Sequence, residues 1–372
     1  MLLTPTSFHS RLPRRKVRGI VGASLVLPGS GGCSPANDSP GAARNQEDAP
    51  LSLKGKRIGI ASPHKVEILN ELYSDMRREA ERSAPDVKVI VVDGENDAMK
   101  QLEHIEAFIA QRYDAIFFLA PPSAGLDDLV ARGVAAGVVM VSHGASPATG
   151  ATQNIVLDQH ESGRQVGLFA ANWINERYGG EAEVGILGNS ADPSLELRTL
   201  GMKDGLAEAA PATRVVAEVH GHSIESGSKG AANMLQSHPK ICALLAHADD
   251  PGFGCYTAAT EAGRRDPDRF LVVSCDGTRL VLERIAENGI YQATWSYLFP
   301  YSATAAMLDI LRAMRGERVP PTRHQVGRLV TRASLPEIQA MSVNPRAVEN
   351  QKYFLDPTVM SYSDTPLMSH ES

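Results

Sequence analysis

Three charged residues lie where predicted elements meet, and their types suit hydrogen bonding to a small polar molecule. Asp276 ends the apolar segment 270–276, Asp249 ends the apolar segment 242–249, and Arg198 opens an amphipathic stretch. Carboxylates accept hydrogen bonds from hydroxyl groups, and a planar guanidinium donates them in a fixed fork. The residue types therefore favour a site that holds a polar ligand without changing it.

Each of these residues also has a purely structural interpretation. Asp276 could cap the predicted helix 278–288, since aspartate is preferred at that position. Arg198 could form a surface ion pair with Glu196 or Asp192. For Asp249, contact with the ligand and a purely structural role are equally open. Sequence alone leaves these alternatives open.

Short motifs of catalysis and of nucleotide binding are absent from the sequence. It contains no G-x-x-x-x-G-K-[ST], no H-E-x-x-H, and no G-x-G-x-x-G or G-x-S-x-G at a strand-to-helix turn. The net charge is −6, and residues 1–32 carry five basic residues and no acidic one. The remaining acidic chain does not suit nucleic acid, which is bound through clustered lysine and arginine. We therefore predict a binding protein that is not an enzyme, needs no cofactor and binds no nucleic acid.

The rest of the chain alternates short apolar runs with longer amphipathic stretches. Apolar runs without polar alternation are typical of parallel strands that helices cover on both faces. The pattern occurs twice, with a break near 154–158, so the fold class is predicted to be α/β with two similar Rossmann-like lobes. The strands are expected at 57–62, 87–93, 115–121, 138–143, 154–158, 182–188, 213–219, 242–249, 270–276, 291–299 and 325–331. Beyond Pro336 the chain is expected to be irregular.

The first 33 residues have the layout of an export signal. A basic segment at 11–18 precedes the apolar stretch 19–27, and small residues then lead to Cys33. Cys33 is therefore a candidate for acylation, which would anchor the protein to a membrane, with 34–53 as a flexible tether. The alternative is a basic tail on a cytosolic protein.

The remaining cysteines and histidines give little support for a metal site. Cys242, Cys255 and Cys275 are odd in number and form no C-x-x-C pair, so their disulfide state stays open. His220 and His222 alternate on a predicted strand end and share one face. No third ligand for them is evident, and no metal is predicted.

The order of motifs resembles the type I periplasmic binding proteins, the ribose-binding and sugar-repressor group. The similarity covers residues 56 to about 332 and has its most specific match in VVSCDGT at 272–278. RTLGMKDGLAEA at 198–209 and LLAHADDPGFG at 244–254 are similar to further family units. No helix-turn-helix segment precedes Lys54, which excludes the repressor branch.

The resemblance implies two lobes with parallel sheets, joined by a three-strand hinge. It places lobe 1 at 54–156 plus 296–320 and lobe 2 at 157–295 plus 321–335, followed by a C-terminal extension at 336–372. It also implies a monomer that delivers a sugar-like solute to an ABC permease and its ATPase. A sensory subunit that presents the solute to a membrane kinase or chemoreceptor is the alternative. An enzyme, or a lipoprotein whose cleft has lost its ligand, is a more distant one.

Several typical sugar contacts of the family are replaced in this chain. Histidines fall at expected cleft positions, namely His64, His143 and His222, and His143 replaces part of an Asp-Arg pair. Glu67 lies where an amide is usual, and Tyr297 where a glutamine is usual. The candidate ligand-binding residues are therefore His64, Glu67, His143, Arg198, His222, Asp249, Asp276 and Tyr297. They predict a polar ligand that differs from the commonest sugars.

Overall fold

The computed structural model describes residues 53–121, 123, 125–325 and 327–345. The predicted signal segment, Cys33 and most of the tether lie outside these residues. Among the residues described, no helix has the length and apolar character needed to cross a bilayer. The three cysteines Cys242, Cys255 and Cys275 are buried and free.

Two six-stranded sheets organise the structure. The first half of the chain contains β1 (Arg57–Ser62), α1 (Glu67–Ser83), β2 (Lys88–Asp93), α2 (Ala98–Ala110), β3 (Ala115–Leu119), α3 (Leu126–Ala135), β4 (Val139–Gly144) and β5 (Gln153–Val156). The second half contains α4 (Gln159–Tyr178), β6 (Glu183–Gly188), α5 (Pro193–Ala209), β7 (Arg214–His220), α6 (Ile224–Ser237), β8 (Ile241–Ala246), α7 (Asp249–Glu261), β9 (Leu271–Asp276), α8 (Arg279–Ala286) and β10 (Tyr291–Ser296). The chain then forms α9 (Phe299–Met314), β11 (Thr322–His324), β12 (Arg328–Thr331) and α10 (Leu335–Val343).

The strand order confirms the predicted α/β class with two similar lobes. The first sheet runs β11-β5-β4-β3-β1-β2 and is parallel throughout. The second runs β12-β10-β9-β8-β6-β7 and is parallel except for the β10–β12 pair. Every residue of β8 and β9 is buried, as expected of strands covered by helices on both faces.

The chain passes between the two sheets three times, and one passage differs from the expected boundary. Strand β5 leads to α4, β10 leads to α9, and β11 leads to β12. We assigned 321–335 to the second lobe, but β11 pairs with β5 in the first sheet. Arg323 on β11 also forms a fully buried ion pair with Asp309 of α9, and Gln153 of β5 donates to the same carboxylate at 2.7 Å. This polar cluster fastens the returning segment to the first lobe.

The segment after Pro336 was expected to be irregular, which is wrong for its first part. Helix α10 spans Leu335–Val343 and buries Leu335, Ile338 and Met341 against the second lobe's core. Its apolar residues recur at intervals of three, which is a helical spacing. The nearby prolines made this spacing hard to recognise in the sequence. Proline is tolerated in the first helical turn, where its missing N–H has no partner to lose.

Replacing Asp309 by asparagine should strongly destabilise the protein. The substitution leaves the guanidinium of Arg323, which is fully buried, without its counter-charge. Removing one partner of a buried ion pair costs about 3–5 kcal/mol. We expect a loss of this size in the free energy of unfolding, measured by denaturant titration of the full chain.

The matched control is Glu317→Gln, which removes a partner of the exposed Arg312 on the same helix. Exposed pairs contribute at most about 1 kcal/mol, so this variant should unfold close to the parent protein. Equal stability of the two variants would contradict a role for the buried pair in holding β11.

Candidate functional site

The side chains of Arg198 and Asp276 meet at the carboxyl ends of the second sheet's strands. Arg198 Nη1 donates to Asp276 Oδ1 at 2.8 Å and to the His247 carbonyl at 2.7 Å, while its Nε donates to Gln159 Oε1 at 2.6 Å. Its guanidinium also lies over the Tyr297 ring at 5.2 Å. Arg198 therefore belongs to a buried polar network and not to a surface ion pair with Glu196 or Asp192.

Close packing of α4 against α5 sets the position of Arg198, which lies in the second turn of α5. A Cβ atom on Gly163 would lie 2.0 Å from the Arg198 carbonyl oxygen, and one on Gly201 would lie 2.0 Å from the His160 carbonyl oxygen. Only residues without a Cβ allow the two backbones to approach this closely. The glycines therefore place the guanidinium over the strand ends.

The Asp276-Gly277-Thr278 turn has a strained geometry that explains its residue types. Asp276 has a φ of +130°, which residues with side chains rarely adopt. Gly277 has a φ of +80°, and a Cβ there would lie 2.3 Å from the Ser296 side chain. Helix α8 begins at Arg279 with Thr278 as its N-cap residue, so Asp276 is not the cap. Strain of this kind persists only where surrounding contacts maintain it, commonly at binding sites.

Asp249 supports this turn from behind. It begins α7 and does not end β8, and it accepts hydrogen bonds from Thr278 N at 2.6 Å, Thr278 Oγ1 at 2.9 Å and Thr294 Oγ1 at 2.7 Å, together with Ser274 Oγ. Burial, and next the charge of Asp276, raises the pKa of Asp249 to about 7. Both oxygens are occupied by protein donors, which fits the supporting role better than contact with a ligand.

Tyr297 is also enclosed by protein. It is fully buried, and its Oη lies 2.6 Å from Gln159 Oε1 and 3.0 Å from Ser162 Oγ. Its carbonyl oxygen accepts a hydrogen bond from Gln325 Nε2 at 3.1 Å. Tyr297 thus connects two of the passages between the sheets, and its ring forms one side of the Arg198 site.

His143 lies at the carboxyl end of β4, between the rings of Phe117 and Phe299. Its Nε2 lies 2.5 Å from Gln325 Oε1, and the orientation of that amide follows from the bond that its Nε2 donates to Tyr297. Nε2 must therefore carry the proton, so Nδ1 is an acceptor. Nδ1 is buried and has no partner among the described residues. Burial lowers the pKa of His143 to about 4, which keeps the ring neutral.

Residues of the first lobe face the second across the strand ends. The Arg279 backbone N–H, at the start of α8, donates to Glu71 Oε1 on α1 at 3.3 Å. Burial and the nearby His222 lower the pKa of His64, which also interacts with Asp192. His64 and His222 are therefore near neighbours that lie on opposite lobes, and Glu67 lies one helical turn before Glu71.

Sequence reasoning missed three residues of this region. Gln159 accepts hydrogen bonds from both Arg198 and Tyr297, and Gln325 fixes His143. Asp250 is partly buried in the first turn of α7, and burial, then Asp276 and Glu67, raises its pKa to about 6. The occurrence of two consecutive acids, Asp249 and Asp250, could have indicated Asp250 as a site residue, whereas nothing in the sequence indicates either glutamine.

A possible metal-ligating group involves His220 but not His222. Donor atoms of Glu196, Glu218 and His220 lie within 4.8 Å of one another, so third-ligand candidates exist that the sequence did not reveal. However, His220 Nδ1 accepts the Ser190 backbone N–H, which leaves the proton on Nε2, and Glu218 is paired with a lysine at 2.7 Å. These pairings involve two of the three groups, whereas Glu196 Oε2 is buried and has no hydrogen-bond partner among the described residues.

The residues around the Arg198–Asp276 pair can form hydrogen bonds to a polar ligand, and the buried thiols of the second sheet are not activated nucleophiles. Burial raises the pKa of Cys242 and of Cys275 to about 12, so neither thiol ionises near neutral pH. Arg198 is 5% exposed, and its Nη2 has no hydrogen-bond partner within the described part of the chain. A guanidinium nitrogen in this position can donate to a ligand oxygen.

Comparison with known proteins agrees with this geometry. Residues 60–318 match the family model described as "Periplasmic binding protein domain". The chain belongs to the periplasmic binding protein family. The ribose import binding protein of Bacillus subtilis is 27% identical over 259 residues, which cover 67% of this chain and 80% of that protein. The D-ribose/D-allose-binding protein of Pseudomonas aeruginosa is 30% identical over 234 residues, covering 61% and 71%.

Solved structures confirm the type I fold of this family. An ABC transporter solute-binding protein from Bacillus halodurans with bound myo-inositol has a TM-score of 0.67 at 24% identity, covering 77% of this chain and 98% of that one. One from Actinobacillus succinogenes with bound D-allose has a TM-score of 0.67 at 20% identity, covering 76% and 99%. Both identities are low, so these structures establish the fold alone.

The neutrality of His143 makes a testable prediction about pH. Its folded pKa of about 4 lies below the ordinary value of 6.5, so only the unfolded chain takes up this proton between those values. Its contribution is present above pH 6.5 and is lost as the pH falls. The unfolding free energy of the parent protein minus that of His143→Asn should fall by roughly 2 kcal/mol between pH 7 and 5. Asp249 titrates in the opposite direction in both proteins and cancels in the difference, whereas a difference independent of pH would contradict the neutral ring.

Proposed function

We propose that this protein binds a sugar or sugar-like polyol between its two lobes and delivers it to an ABC-type importer. The observation that carries the proposal is the buried Arg198–Asp276 pair, whose remaining Nη2 donor is held at the strand ends. In open α/β sheets, ligands bind outside the carboxyl ends of the strands. The names of the ribose- and allose-binding relatives support a sugar as the ligand.

The proposed contacts come from both lobes. Arg198 and Asp276 hold hydroxyl groups from the second lobe, and His222 lies at its rim. His64, Glu67 and His143 contribute from the first lobe. Asp249 and Tyr297 act through these residues, since protein donors and acceptors occupy their polar atoms.

The mechanism is closure about the three passages between the sheets. Lobe 1 comprises 54–156 with 297–324, and lobe 2 comprises 157–296 with 325–335. Ligand contacts from both lobes exist together only when the lobes meet, so the ligand shifts the population toward the closed form. The Arg279–Glu71 hydrogen bond is one protein contact that favours closure.

The remaining parts of the proposal concern cellular location and partners. Residues 1–33 act as an export signal, Cys33 carries a lipid anchor, and 34–53 act as a tether. The protein is a monomer, and its partners are an ABC permease and its ATPase. Labelling with a radioactive fatty acid in a bacterial host, lost in Cys33→Ala, tests the anchor.

A thermal-shift screen should identify the ligand class. Pentoses, hexoses, inositols and amino sugars are tested against the full chain. A ligand at 100 times its dissociation constant stabilises the folded protein by about 2.7 kcal/mol, or roughly 5–10 °C. We expect that shift from at least one polyhydroxyl compound, followed by calorimetry of the best ligand.

Substitutions in the pair should remove this binding. Arg198→Lys loses the planar fork and Asp276→Asn loses the charge, so each should weaken the ligand at least about 100-fold, which corresponds to about 2.7 kcal/mol. Arg214→Lys, in an exposed pair at the other end of the second sheet, is the control and should bind normally. Normal affinity in both site variants, with circular dichroism confirming their fold, would refute the proposed site.

Small-angle X-ray scattering tests closure. The radius of gyration should decrease when a ligand confirmed by calorimetry is added, because the lobes approach each other. Arg198→Lys at the same ligand concentration should show no decrease. An unchanged radius for the parent protein with saturating ligand would rule out the hinge mechanism while leaving ligand binding intact.

A further inference from the structure

The start of α1 and the start of α7 converge on the loop that joins β9 to α8. From the first lobe, Glu71 on α1 accepts the backbone N–H of Arg279 at 3.3 Å. From the second lobe, Asp249 on α7 accepts the backbone N–H of Thr278 at 2.6 Å, and its own N–H donates to Asp276 at 3.3 Å. Two helices from different lobes therefore flank one loop.

Each of these helices adds one further carboxylate beside that loop. Glu67 lies four residues before Glu71, so both project from the same face of α1. Asp250 follows Asp249 directly and is influenced electrostatically by both Asp276 and Glu67. Within the described residues, neither Glu67 nor Asp250 forms a hydrogen bond or an ion pair.

The charges around this point do not balance. The carboxyl groups are those of Glu67, Glu71, Asp249, Asp250 and Asp276, and the buried cation beside them among the described residues is Arg198, which pairs with Asp276. The side chain of Arg279 is directed to Glu283 instead, at 3.0 Å. Bringing these carboxylates together on closure costs free energy unless a positive charge enters between them.

Arg198 requires the opposite kind of partner, a hydrogen-bond acceptor. Its guanidinium is almost fully buried, and Nη2 is left without an acceptor from the described residues. A hydroxyl oxygen on the ligand satisfies this donor. A ligand that satisfies both ends presents a hydroxyl group at the Arg198 end and a cation at the Glu67–Asp250 end.

We propose that the ligand is an amine-bearing polyhydroxyl compound, such as an amino sugar, whose ammonium group lies between Glu67 and Asp250. This inference rests on the proposed sugar-binding function and specifies its ligand class. A protonated amine supplies the missing charge and three hydrogen-bond donors, which match carboxylates that lack partners. Ligand hydroxyl groups occupy Arg198 and Asp276.

Calorimetry of matched sugars with the full chain tests this class. The pairs are glucosamine with glucose and galactosamine with galactose, and N-acetylglucosamine serves as an analogue whose nitrogen carries no charge. At pH 7.5 at least one amine should bind about tenfold or more tightly than its neutral partner and its acetylated form. Lowering the pH to 5 should weaken the amine, because Asp250 becomes protonated and loses its charge. Burial also raises the pKa values of Asp249 and Glu71, so these neighbouring carboxyl groups lose charge in the same direction.

Two conservative substitutions locate the ammonium group. Glu67→Gln and Asp250→Asn should each weaken the amine about tenfold and leave the neutral partner unchanged or bound more tightly. Glu81→Gln, exposed near the far end of α1, and Asp86→Asn, exposed in the loop after it, are the matched controls and should have no effect.

The alternative outcomes are distinct. If a neutral sugar binds as tightly as its amine, or if the amine binds more tightly at pH 5 than at 7.5, the amine proposal fails while sugar binding stands. If binding of a neutral sugar requires Ca²⁺ and is lost with a chelator, the carboxylates hold a metal ion and the amine proposal is again wrong. If no polyhydroxyl compound binds, the proposed function itself fails.

Discussion

The buried ion pair between Arg198 and Asp276 is the interaction that organises the strand ends of the second lobe, where we propose that the ligand binds. An ion pair inside a protein is stable only when further hydrogen bonds satisfy the remaining donors and acceptors of both charged groups. Here Gln159 and the His247 carbonyl accept hydrogen bonds from the guanidinium, and the Asp249 backbone N–H donates one to the carboxylate. The pair therefore holds the starts of α4, α5 and α7 and the end of β9 in one arrangement. Replacing any of these partners is therefore expected to change the geometry of the proposed ligand-binding face.

A second buried pair does the same for the passages between the lobes. Arg323 and Asp309, together with Gln153, hold β11 and α9 on the first sheet. Gln325, two residues after Arg323, forms hydrogen bonds to His143 and to Tyr297. These contacts attach the returning segment to the first sheet. Such an attachment is consistent with the proposed closure, in which the two lobes would move as rigid bodies.

The proposed cleft differs from a simple sugar site in its charge. On its first-lobe side, Glu67 and His143 lie where the family resemblance predicts an amide and part of an Asp-Arg pair. His143 is kept neutral by burial, and Glu67 lacks a partner. A neutral imidazole and free carboxylates are mainly acceptors, so the ligand must supply most of the donors. This bias, and not the general shape of the cleft, is what distinguishes the expected ligand from a neutral pentose.

The sequence by itself determined the fold class and the positions of most strands, and it made Asp276 and Arg198 candidates for the site, because buried parallel strands and Asp-Gly-Thr turns have strong local patterns. It could not reveal that these two residues pair, that Asp249 is enclosed by four donors, or that β11 returns to the first sheet. No sequence pattern indicated Gln159 or Gln325, and none indicated that Glu67 and Asp250 interact electrostatically. Such relations join residues tens to hundreds of positions apart, so only tertiary packing decides them.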